Sequence, residues 1–488
     1  MKKTLLVLCV LILANMPITA DNDFFTTCIE GTPEEVLSSL QTGASPAERD
    51  ADGWTPLMLA AYGNPDPLVI EILLRFGASI DDKDPEGWTA LMIAARYSEN
   101  PEVPALLLQA GAQVDASKPD GMTPLILATY NEYSTKILKL LLDSGANPDR
   151  ADNDGWTALM HAVYASSPIE SITMLLDAGA SPDLQDDDGW TALMIAAWYN
   201  ENPRTIPLLI KYKAQVNLRD NGGWTALMYA AHNSTNPRIL TSLLLAGAKV
   251  NDANDGDATA LMIAARNNQN PECLRILLNA GAKIHAVDID GWTALMQAAY
   301  ENPNPEVLDL LLKSGAAIEK VENTGMTALM LAAQHNNEPS VIANLLVNGA
   351  DLHARDKTGG TALMQSAGFN SNPQVSAMLI NAGARLDDKD IDGWPPLMWA
   401  AAYNENIEVL RLLLSSGALF NEVDSTGMSV LMRSAQFTSN PAIILELLEA
   451  GADAKLKTAD NLTAFDFASG NEVLVNTKAY WELNNKRF

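Results

Sequence analysis

The chain has 488 residues, 48% of them hydrophobic and 19% charged, a composition typical of a folded protein rather than a disordered one. Its 60 acidic and 32 basic residues give a formal net charge of −28. This charge argues against binding nucleic acid or an anionic membrane through a broad surface, because both need clustered lysine and arginine. It permits a basic protein or peptide as a partner, and it would also keep a long, exposed chain in solution.

The first twenty residues have the pattern of a cleavable secretory signal. Two lysines follow Met1, residues 5–13 form an apolar run, and Ala20 offers a small residue for cleavage. The run is far shorter than the roughly 20 residues that a membrane-spanning helix needs, and no later segment could cross a bilayer. We therefore predict a signal peptide at 1–20 and an exported protein, periplasmic or secreted.

The rest of the chain repeats one motif, seen in full as DGWTALMIAA at 188–197. The position of its tryptophan recurs every 34 residues without a slip, at Trp54, Trp88, Met122, Trp156, Trp190, Trp224, Ala258, Trp292, Met326, Gly360, Trp394, Met428 and Leu462. A strict period of roughly 20–50 residues indicates a stacked solenoid, in which each unit extends one core. We therefore predict one repeat array rather than about three separate domains.

Each repeat carries the signals of two helices. The first follows a threonine such as Thr191, which can accept from free backbone N–H groups, and it has a small-residue face formed by an alanine pair. The second follows an Asn-Pro pair, as at 202–203, because asparagine caps a helix and proline has a helical φ. It ends at Gly-Ala, where glycine suits a left-handed conformation. Lys213 replaces this glycine once, and we expect local strain there.

The residues between the helix pairs are rich in Asp and Asn and predict a turn or short hairpin. An aspartate four residues before the tryptophan position can bond the backbone two residues on and fix this turn. It stands at Asp84, Asp152, Asp186, Asp220, Asp288, Asp356 and Asp390. A methionine four residues after the tryptophan position recurs from Met58 to Met432. We interpret this methionine column as core, because methionine fills irregular gaps.

These motifs resemble the ankyrin repeat. The resemblance rests on Gly-Trp-Thr-Pro-Leu at 53–57, the alanine pair at 60–61, the leucine pair at 73–74 and Gly-Ala at 77–78, and it recurs along nearly the whole chain. It implies an all-α ankyrin-repeat solenoid of helix-turn-helix units with short turn or hairpin fingers, curved around a concave face. The chain departs from the family in its period of 34 rather than about 33, and in methionine where the family has histidine.

The phase of the repeat sets the predicted boundaries. After the signal peptide, residues 21–49 look like an N-terminal capping repeat that lacks its turn. Twelve ankyrin-type repeats of 34 residues fill 50–457. Residues 458–488 look like a C-terminal capping repeat and tail, whose polar substitutions suit an outer surface. No segment is left over for a separate catalytic domain.

The sequence offers no set of residues that indicates catalysis, a cofactor or a metal. Only His285 and His353 share a phase among five histidines. They lie two repeats apart, roughly 20 Å for helices packed ~10 Å apart, whereas metal ligands converge to about 2 Å from the ion. No phosphate-binding loop and no nucleophile–histidine set is apparent. Cys28 and Cys273 lie too far apart in the array for a disulfide. We predict no enzyme activity, no cofactor and no metal.

The tryptophan column is the clearest candidate for contact with a partner. In the ankyrin family this residue lies at the tip of the turn and faces the concave surface. Tryptophan is favoured in binding hot spots because it joins a large apolar area to an N–H donor. The regularity of the column also suits a structural role, in which the indoles brace the row of turns. Both interpretations stay open from the sequence.

The two residues after the alanine pair vary between repeats, as a recognition surface requires. They read Arg96-Tyr97, Tyr164-Ala165, Trp198-Tyr199, Tyr300-Glu301, Gln334-His335 and Ala402-Tyr403. These aromatic residues could also merely cover helix ends, but they are densest within 151–230, where the tryptophans run consecutively. We therefore predict a partner-binding site at Trp156, Tyr164, Trp190, Trp198, Tyr199 and Trp224.

The sequence as a whole predicts an exported, non-enzymatic scaffold or adaptor that binds a protein partner on its concave face. The class of partner rests on analogy, because a fold does not determine a function. Two alternatives stay open: a passive structural protein of a bacterial-type envelope, and a secreted effector that acts on host proteins.

Overall fold

The computed structural model describes residues 24–131, 133–199 and 202–487, with only the backbone of Ser134. The predicted signal peptide at 1–20 lies outside these residues. The described chain contains 28 helices and no strand, and four isolated antiparallel bridges close some of its turns. None of the described helices is long and apolar enough to cross a membrane. The predicted all-α solenoid of helix-turn-helix units is confirmed.

In chain order the helices are α1 (Phe24–Glu30), α2 (Pro33–Gln41), α3 (Pro56–Gly63), α4 (Leu68–Arg75), α5 (Ala90–Tyr97), α6 (Glu102–Gln109), α7 (Pro124–Ala128), α8 (Ser134–Asp143), α9 (Ala158–Tyr164), α10 (Ile169–Asp177), α11 (Ala192–Tyr199), α12 (Thr205–Lys211), α13 (Ala226–Asn233), α14 (Pro237–Leu245), α15 (Ala260–Asn267), α16 (Pro271–Asn279), α17 (Ala294–Glu301), α18 (Pro305–Lys313), α19 (Ala328–His335), α20 (Pro339–Val347), α21 (Ala362–Phe369), α22 (Pro373–Asn381), α23 (Pro396–Tyr403), α24 (Ile407–Ser415), α25 (Val430–Phe437), α26 (Pro441–Glu449), α27 (Ala464–Ala468) and α28 (Lys478–Lys486).

The chain forms two compact units, one ending at Ala192 and the other beginning at Leu193. In the first unit, each odd-numbered helix from α1 to α9 packs on the next odd-numbered helix, and the even-numbered helices do the same from α2 to α10. In the second unit, the odd-numbered helices from α13 to α27 and the even-numbered helices from α12 to α28 follow the same rule. Each unit is therefore a stack of helix pairs.

The two helices of a pair are buried to different extents. Residues 90–95 of the first helix α5 are all buried, as expected for a helix that is apolar all round. The second helix α18 buries only one stripe, Val307, Leu308 and Leu311. The methionine column lies in the first helices, and each of its eleven side chains is at most 2% exposed. The prediction that this column is core is confirmed.

The predicted helix caps form as expected from the sequence. Thr89 Oγ1 accepts from the backbone N–H of Met92 at 3.3 Å, at the start of a first helix. Asn304 Oδ1 accepts from the N–H of Glu306 at 3.0 Å, at the start of a second helix. Gly315 has φ +94° after that helix. These bonds satisfy backbone groups that a helix end would otherwise leave free.

A buried row of asparagines, which the sequence analysis missed, joins neighbouring repeats. Asn302 is fully buried, and its Nδ2 donates to the carbonyls of Ala265 at 2.8 Å and Asn268 at 3.0 Å in the preceding repeat. Its Oδ1 accepts from the N–H of Asn304 at 3.0 Å. We call this row the asparagine ladder. The same three bonds occur at Asn64, Asn131, Asn268, Asn336, Asn370, Asn404 and Asn471.

Both ends of the described chain carry substitutions that suit their position. Thr32 and Glu35 cap α2 reciprocally, with each side chain accepting from the other residue's N–H. Asp466 replaces the core methionine near the other end, and its carboxylate accepts from the N–H of Thr463 at 2.7 Å. The final helix α28 then packs on α26 and α27 and buries Leu483.

Lys213 takes the left-handed conformation that its position demands, with φ +67°, so the predicted strain site is confirmed. We expect Lys213→Gly to raise the free energy of unfolding by about 0.5–1 kcal/mol, because the steric penalty exceeds the chain entropy that glycine costs. Urea unfolding measures the change. Gly247, with φ +92°, provides the reverse control: Gly247→Lys should destabilise. An unchanged or lowered stability of Lys213→Gly would contradict the expectation.

Candidate functional site

The turns between helix pairs form fingers, and an aspartate fixes the position of the residue at the tip, which is tryptophan in seven of them. Asp84 Oδ1 accepts from the N–H of Glu86 at 2.9 Å, as predicted, and also from the N–H of Trp88 at 2.8 Å. One carboxylate oxygen therefore fixes both the turn and the residue at its tip. The same pair of bonds occurs at Asp50, Asp152, Asp186, Asp220, Asp288, Asp356, Asp390 and Asp424.

Neighbouring fingers of one unit touch, and a glycine makes this possible. Gly87 has φ +84°, and a Cβ there would lie 2.5 Å from the Cδ atom of Pro119 in the next finger. In the second unit, the N–H of Ile289 donates to the carbonyl of Gly256 in the finger before it, at 3.1 Å. The fingers of each unit therefore form a connected row.

The second oxygen of the finger aspartate ties the finger to its own first helix. The partner lies nine residues after the aspartate and changes from repeat to repeat. It is His161 for Asp152 at 2.8 Å, Gln297 for Asp288 at 2.9 Å, and Trp399 Nε1 for Asp390 at 2.9 Å. It is Tyr229, Gln365 and Arg433 for Asp220, Asp356 and Asp424. The sequence analysis missed this pairing because the partner is not constant.

Aromatic side chains from the fingers and the first helices form a continuous row along the first unit. Trp156 and Tyr164, both predicted site residues, contact each other with ring centroids 5.5 Å apart. Arg96 bridges two parts of the row, because its guanidinium lies 5.1 Å from the Tyr97 ring and 5.6 Å from the Tyr130 ring. We call this row the first strip; it consists of Trp54, Tyr62, Trp88, Arg96, Tyr97, Tyr130, Trp156, His161 and Tyr164.

The tryptophans of the first unit make contacts that brace neighbouring repeats. Lys118 of the next finger lies over the Trp88 ring, with its Nζ atom 4.4 Å from the centroid. Trp156 donates a side-chain hydrogen bond to Asp186 of the next finger; burial nevertheless raises the pKa of that carboxyl. The indoles stay half-buried, so part of each ring is left for a partner. Their role in binding stays a prediction.

The structure assembles a hydrogen-bond chain in the first unit that resembles a catalytic set. Tyr130 Oη lies 2.6 Å from His161 Nδ1, and His161 Nε2 lies 2.8 Å from Asp152 Oδ2. Burial, together with the charges of Tyr164 and Asp152, raises the pKa of Tyr130 to about 12. An activated nucleophile needs a lowered pKa instead. This hydrogen-bonded set of Tyr130, His161 and Asp152 therefore fits a structural role rather than a catalytic one.

Aromatic residues of the second unit form several clusters, three of which include a tryptophan at the tip of a finger. Trp198, a predicted site residue, lies 6.2 Å from Tyr199 and 5.5 Å from Tyr229, which lies 5.1 Å from Trp224. We name these three clusters after their tryptophans. The Trp198 cluster holds Trp198, Tyr199, Trp224, Tyr229 and His232; the Trp292 cluster holds Arg266, Trp292, Tyr300 and His335; the Trp394 cluster holds Phe369, Trp394, Trp399, Tyr403 and Phe437.

The six predicted site residues therefore fall into two groups. Trp156 and Tyr164 belong to the first strip, and Trp190 belongs to the same unit, with its N–H held by Asp186 at 2.7 Å. The other three, Trp198, Tyr199 and Trp224, share one cluster of the second unit. The sequence analysis missed Tyr229 and His232, which link Trp198 to Trp224.

Two adjoining hollows meet at the Ala258 repeat. The smaller one borders the Trp198 cluster at Trp224 and His232, and the larger one is lined by the Trp292 cluster and by the next finger, from Glu322 to Met326. Ala258 occupies the tryptophan position of its repeat, and it lines both hollows together with Arg266 and Gln297. Their volumes are about 350 Å³ on the Trp224 side and about 660 Å³ on the Trp292 side. We call the pair the Ala258 hollow. Its sequence signal is the interruption of the tryptophan column by alanine.

Metal and thiol chemistry receive little support from the described residues. Within 24–131, 133–199 and 202–487, no group of three or more His, Cys, Asp or Glu is placed to hold a metal ion. Cys28 and Cys273 are both buried. Burial raises the pKa of the Cys273 thiol to about 11, and a thiol with a raised pKa is a poor nucleophile at neutral pH.

The fold and the finger surface together define a helical repeat protein with aromatic side chains along the fingers of each unit. A family model described as Ankyrin repeats (3 copies) matches the chain at 25–118, 99–186, 164–254, 231–322, 261–356, 295–390, 329–424 and 363–458. The chain therefore belongs to the ankyrin-repeat family, as its motifs predicted. Ankyrin repeats are generally protein–protein interaction modules, and proteins built from them are typically non-enzymatic. No curated protein matches the chain.

Proposed function

We propose that this protein is an exported, non-enzymatic scaffold or adaptor that binds a protein partner through its fingers and the ends of its first helices. The observation that carries the proposal is a set of exposed aromatic rings at those helix ends. Tyr97 is 39% exposed, Tyr199 46% and Phe369 47%. Aromatic residues are enriched where proteins bind each other, and contiguous exposed apolar surface marks such sites.

The partner that suits this surface is a basic protein. The net charge of −28 favours association with positive surfaces and speeds their encounter. Export rests on the signal-like pattern at 1–20, and the destination is the periplasm or the medium.

A cross-linking pull-down from native envelope extract and medium tests the proposal, with the proposed mature chain 21–488 as bait. The test variant carries alanine at Trp156, Trp190 and Trp224. A control variant carries Trp481→Ala, because Trp481 is 50% exposed on α28 and lies outside the tryptophan column. We expect the bait and the control to capture the same partner, and the triple variant to lose at least about tenfold of it, as hot-spot residues do.

Circular dichroism on all three proteins separates binding from folding. A folded triple variant that has lost the partner would make the tryptophan column a recognition surface. A triple variant that keeps the partner but melts earlier would make the column a brace and place the site elsewhere. Absence of a saturable partner for the parent chain would overturn the proposal and favour a passive structural protein.

A further inference from the structure

The Ala258 hollow lies where alanine takes the tryptophan position of a repeat. Trp224 lines the hollow on one side and Trp292 on the other, each held by its finger aspartate. The repeat between them has the usual threonine cap, because Thr259 Oγ1 accepts from the N–H of Met262 at 3.5 Å. The backbone of this repeat therefore continues the pattern, and the small side chain of Ala258 leaves open space where the two parts of the hollow meet.

The walls of the hollow carry an excess of negative charge. Asp288, Asp290 and Glu322 line its larger part and Glu301 its smaller part. Arg266 is the cation that lines both parts, and its Nε lies 2.7 Å from Glu301 Oε2, which pairs these two charges. The carboxylates of Asp288, Asp290 and Glu322 therefore remain without a cation among the residues that line the hollow.

Two histidines at the rim add no positive charge at neutral pH. Burial lowers the pKa of His232, and the charge of Arg266 lowers it further. Burial also lowers the pKa of His335. The charge of Glu301 acts to raise this pKa, and the charge of Arg266 acts to lower it further. Both imidazoles therefore present neutral rings, in addition to the rings of Trp224 and Trp292.

An unpartnered acceptor lies in the wall between the two parts of the hollow. Gln297 is only 9% exposed, and its Nε2 donates to Asp288 Oδ2 at 2.9 Å. Its Oε1 is buried and has no hydrogen-bond partner. A buried acceptor without a donor costs about 1–3 kcal/mol. Because Gln297 lines both parts of the hollow, a ligand that brings an N–H donor there would remove this cost.

We propose that the Ala258 hollow binds an arginine side chain from an extended segment of the partner protein. A guanidinium group is a planar cation that stacks on aromatic rings and offers five N–H donors. In the larger part of the hollow its face would stack on the ring of Trp292, and its donors would meet the carboxylate of Asp290 and Gln297 Oε1. Lysine suits the site less, because its ammonium is a compact, strongly hydrated point charge.

This inference rests on the proposed protein-binding function and names the site and the chemistry of the partner. A titration of the full chain tests it, with a blocked pentapeptide that has one arginine between glycines. The comparison peptide has citrulline, a neutral side chain of the same shape, in place of arginine. Ligand-observed NMR should give millimolar affinity for the arginine peptide, and an affinity at least about tenfold weaker for the citrulline peptide.

Substitutions place the binding in the hollow. Ala258→Trp restores the residue that seven repeats carry and should weaken arginine-peptide binding about tenfold or more. Met122→Trp is the matched control, since it introduces the same indole at the same phase in the first unit, and it should bind like the parent. Equal binding of both peptides, no binding up to about 10 mM, or full binding by a folded Ala258→Trp chain would overturn the proposal.

A second pair of variants covers the case in which Ala258→Trp does not fold. Gln297→Leu and Gln365→Leu each remove one amide that bonds a finger aspartate, at 2.9 Å in both repeats. Leucine stands at this phase in other repeats, as at Leu331. We expect only Gln297→Leu to weaken the arginine peptide, by about threefold to tenfold; equal effects would reject the site. If the arginine site is rejected but the pull-down still captures a partner, the proposed protein-binding function is still supported.

Discussion

Asn302→Ala is expected to lower the free energy of unfolding by about 3 kcal/mol, because it leaves two buried carbonyls without donors and each costs about 1–3 kcal/mol. The side chain is fully buried and joins its own repeat to the carbonyls of Ala265 and Asn268. In a repeat array, stability depends on the interfaces between neighbours as well as on each repeat. The loss should therefore appear as weakened coupling between α15 and α17.

Urea unfolding and native-state hydrogen exchange measure this effect. Asn302→Ser is an informative comparison, because Ser234 stands at the same phase and its Oγ accepts from the N–H of Asn236 at 3.2 Å. Serine should keep that local bond but not the bonds across the interface, and so recover only part of the loss. The exposed Asn348→Ala should change stability by less than about 0.5 kcal/mol. A loss below about 1 kcal/mol for Asn302→Ala would contradict this account of the asparagine ladder.

The parts of the fold that could be predicted from the sequence are those fixed by local backbone chemistry. The threonine and asparagine caps and the closing glycines act within a few residues, and the period of 34 repeats them without a slip. The asparagine ladder could not be predicted in the same way. Its bonds join residues 33–37 positions apart, and asparagine alternates there with serine, so no single-residue signal marks the interface.

The candidate site could be predicted only in part, because it too depends on contacts between residues that are far apart in the sequence. The phase of the tryptophan column correctly placed Trp156 and Trp224 on fingers, beside the aromatic ends of first helices. It did not show which rings meet, because Tyr229 and His232 reach the tryptophans from variable positions of the helix. Ala258 was visible as an interruption of the column. Its consequence, a hollow with an unpartnered amide oxygen, depends on how side chains of four repeats pack.

Arg433→Met is expected to lower the free energy of unfolding by about 3–5 kcal/mol, because it leaves one oxygen of a buried carboxylate with neither its partner charge nor a hydrogen-bond donor. Arg433 Nε lies 2.6 Å from Asp424 Oδ2, and the two side chains are 13% and 0% exposed. The guanidinium also lies 4.9 Å from the centroid of the Trp394 ring. Methionine matches the arginine stem in volume but supplies no donor. Arg433→Gln should cost much less, since Gln297 and Gln365 make the equivalent bond in other repeats.

The pH dependence of this penalty separates lost charge pairing from lost packing. Burial acts to raise the pKa of Asp424, but hydrogen bonds from Thr426, Arg433 and Met428 outweigh it and lower that pKa below 3.8. The stability that this carboxylate contributes is therefore present above pH 3.8 and is lost as the pH falls through the lowered folded-state pKa. In Arg433→Met the opposing bond is gone, the pKa rises, and protonation relieves the buried charge. Urea unfolding of parent and variant, at pH 7 and at a pH below the lowered pKa of Asp424 in the parent, measures the difference in their free energies of unfolding. We expect this difference to shrink in acid. A difference that does not depend on pH would mean that the packing of Arg433 on Trp394 carries the effect.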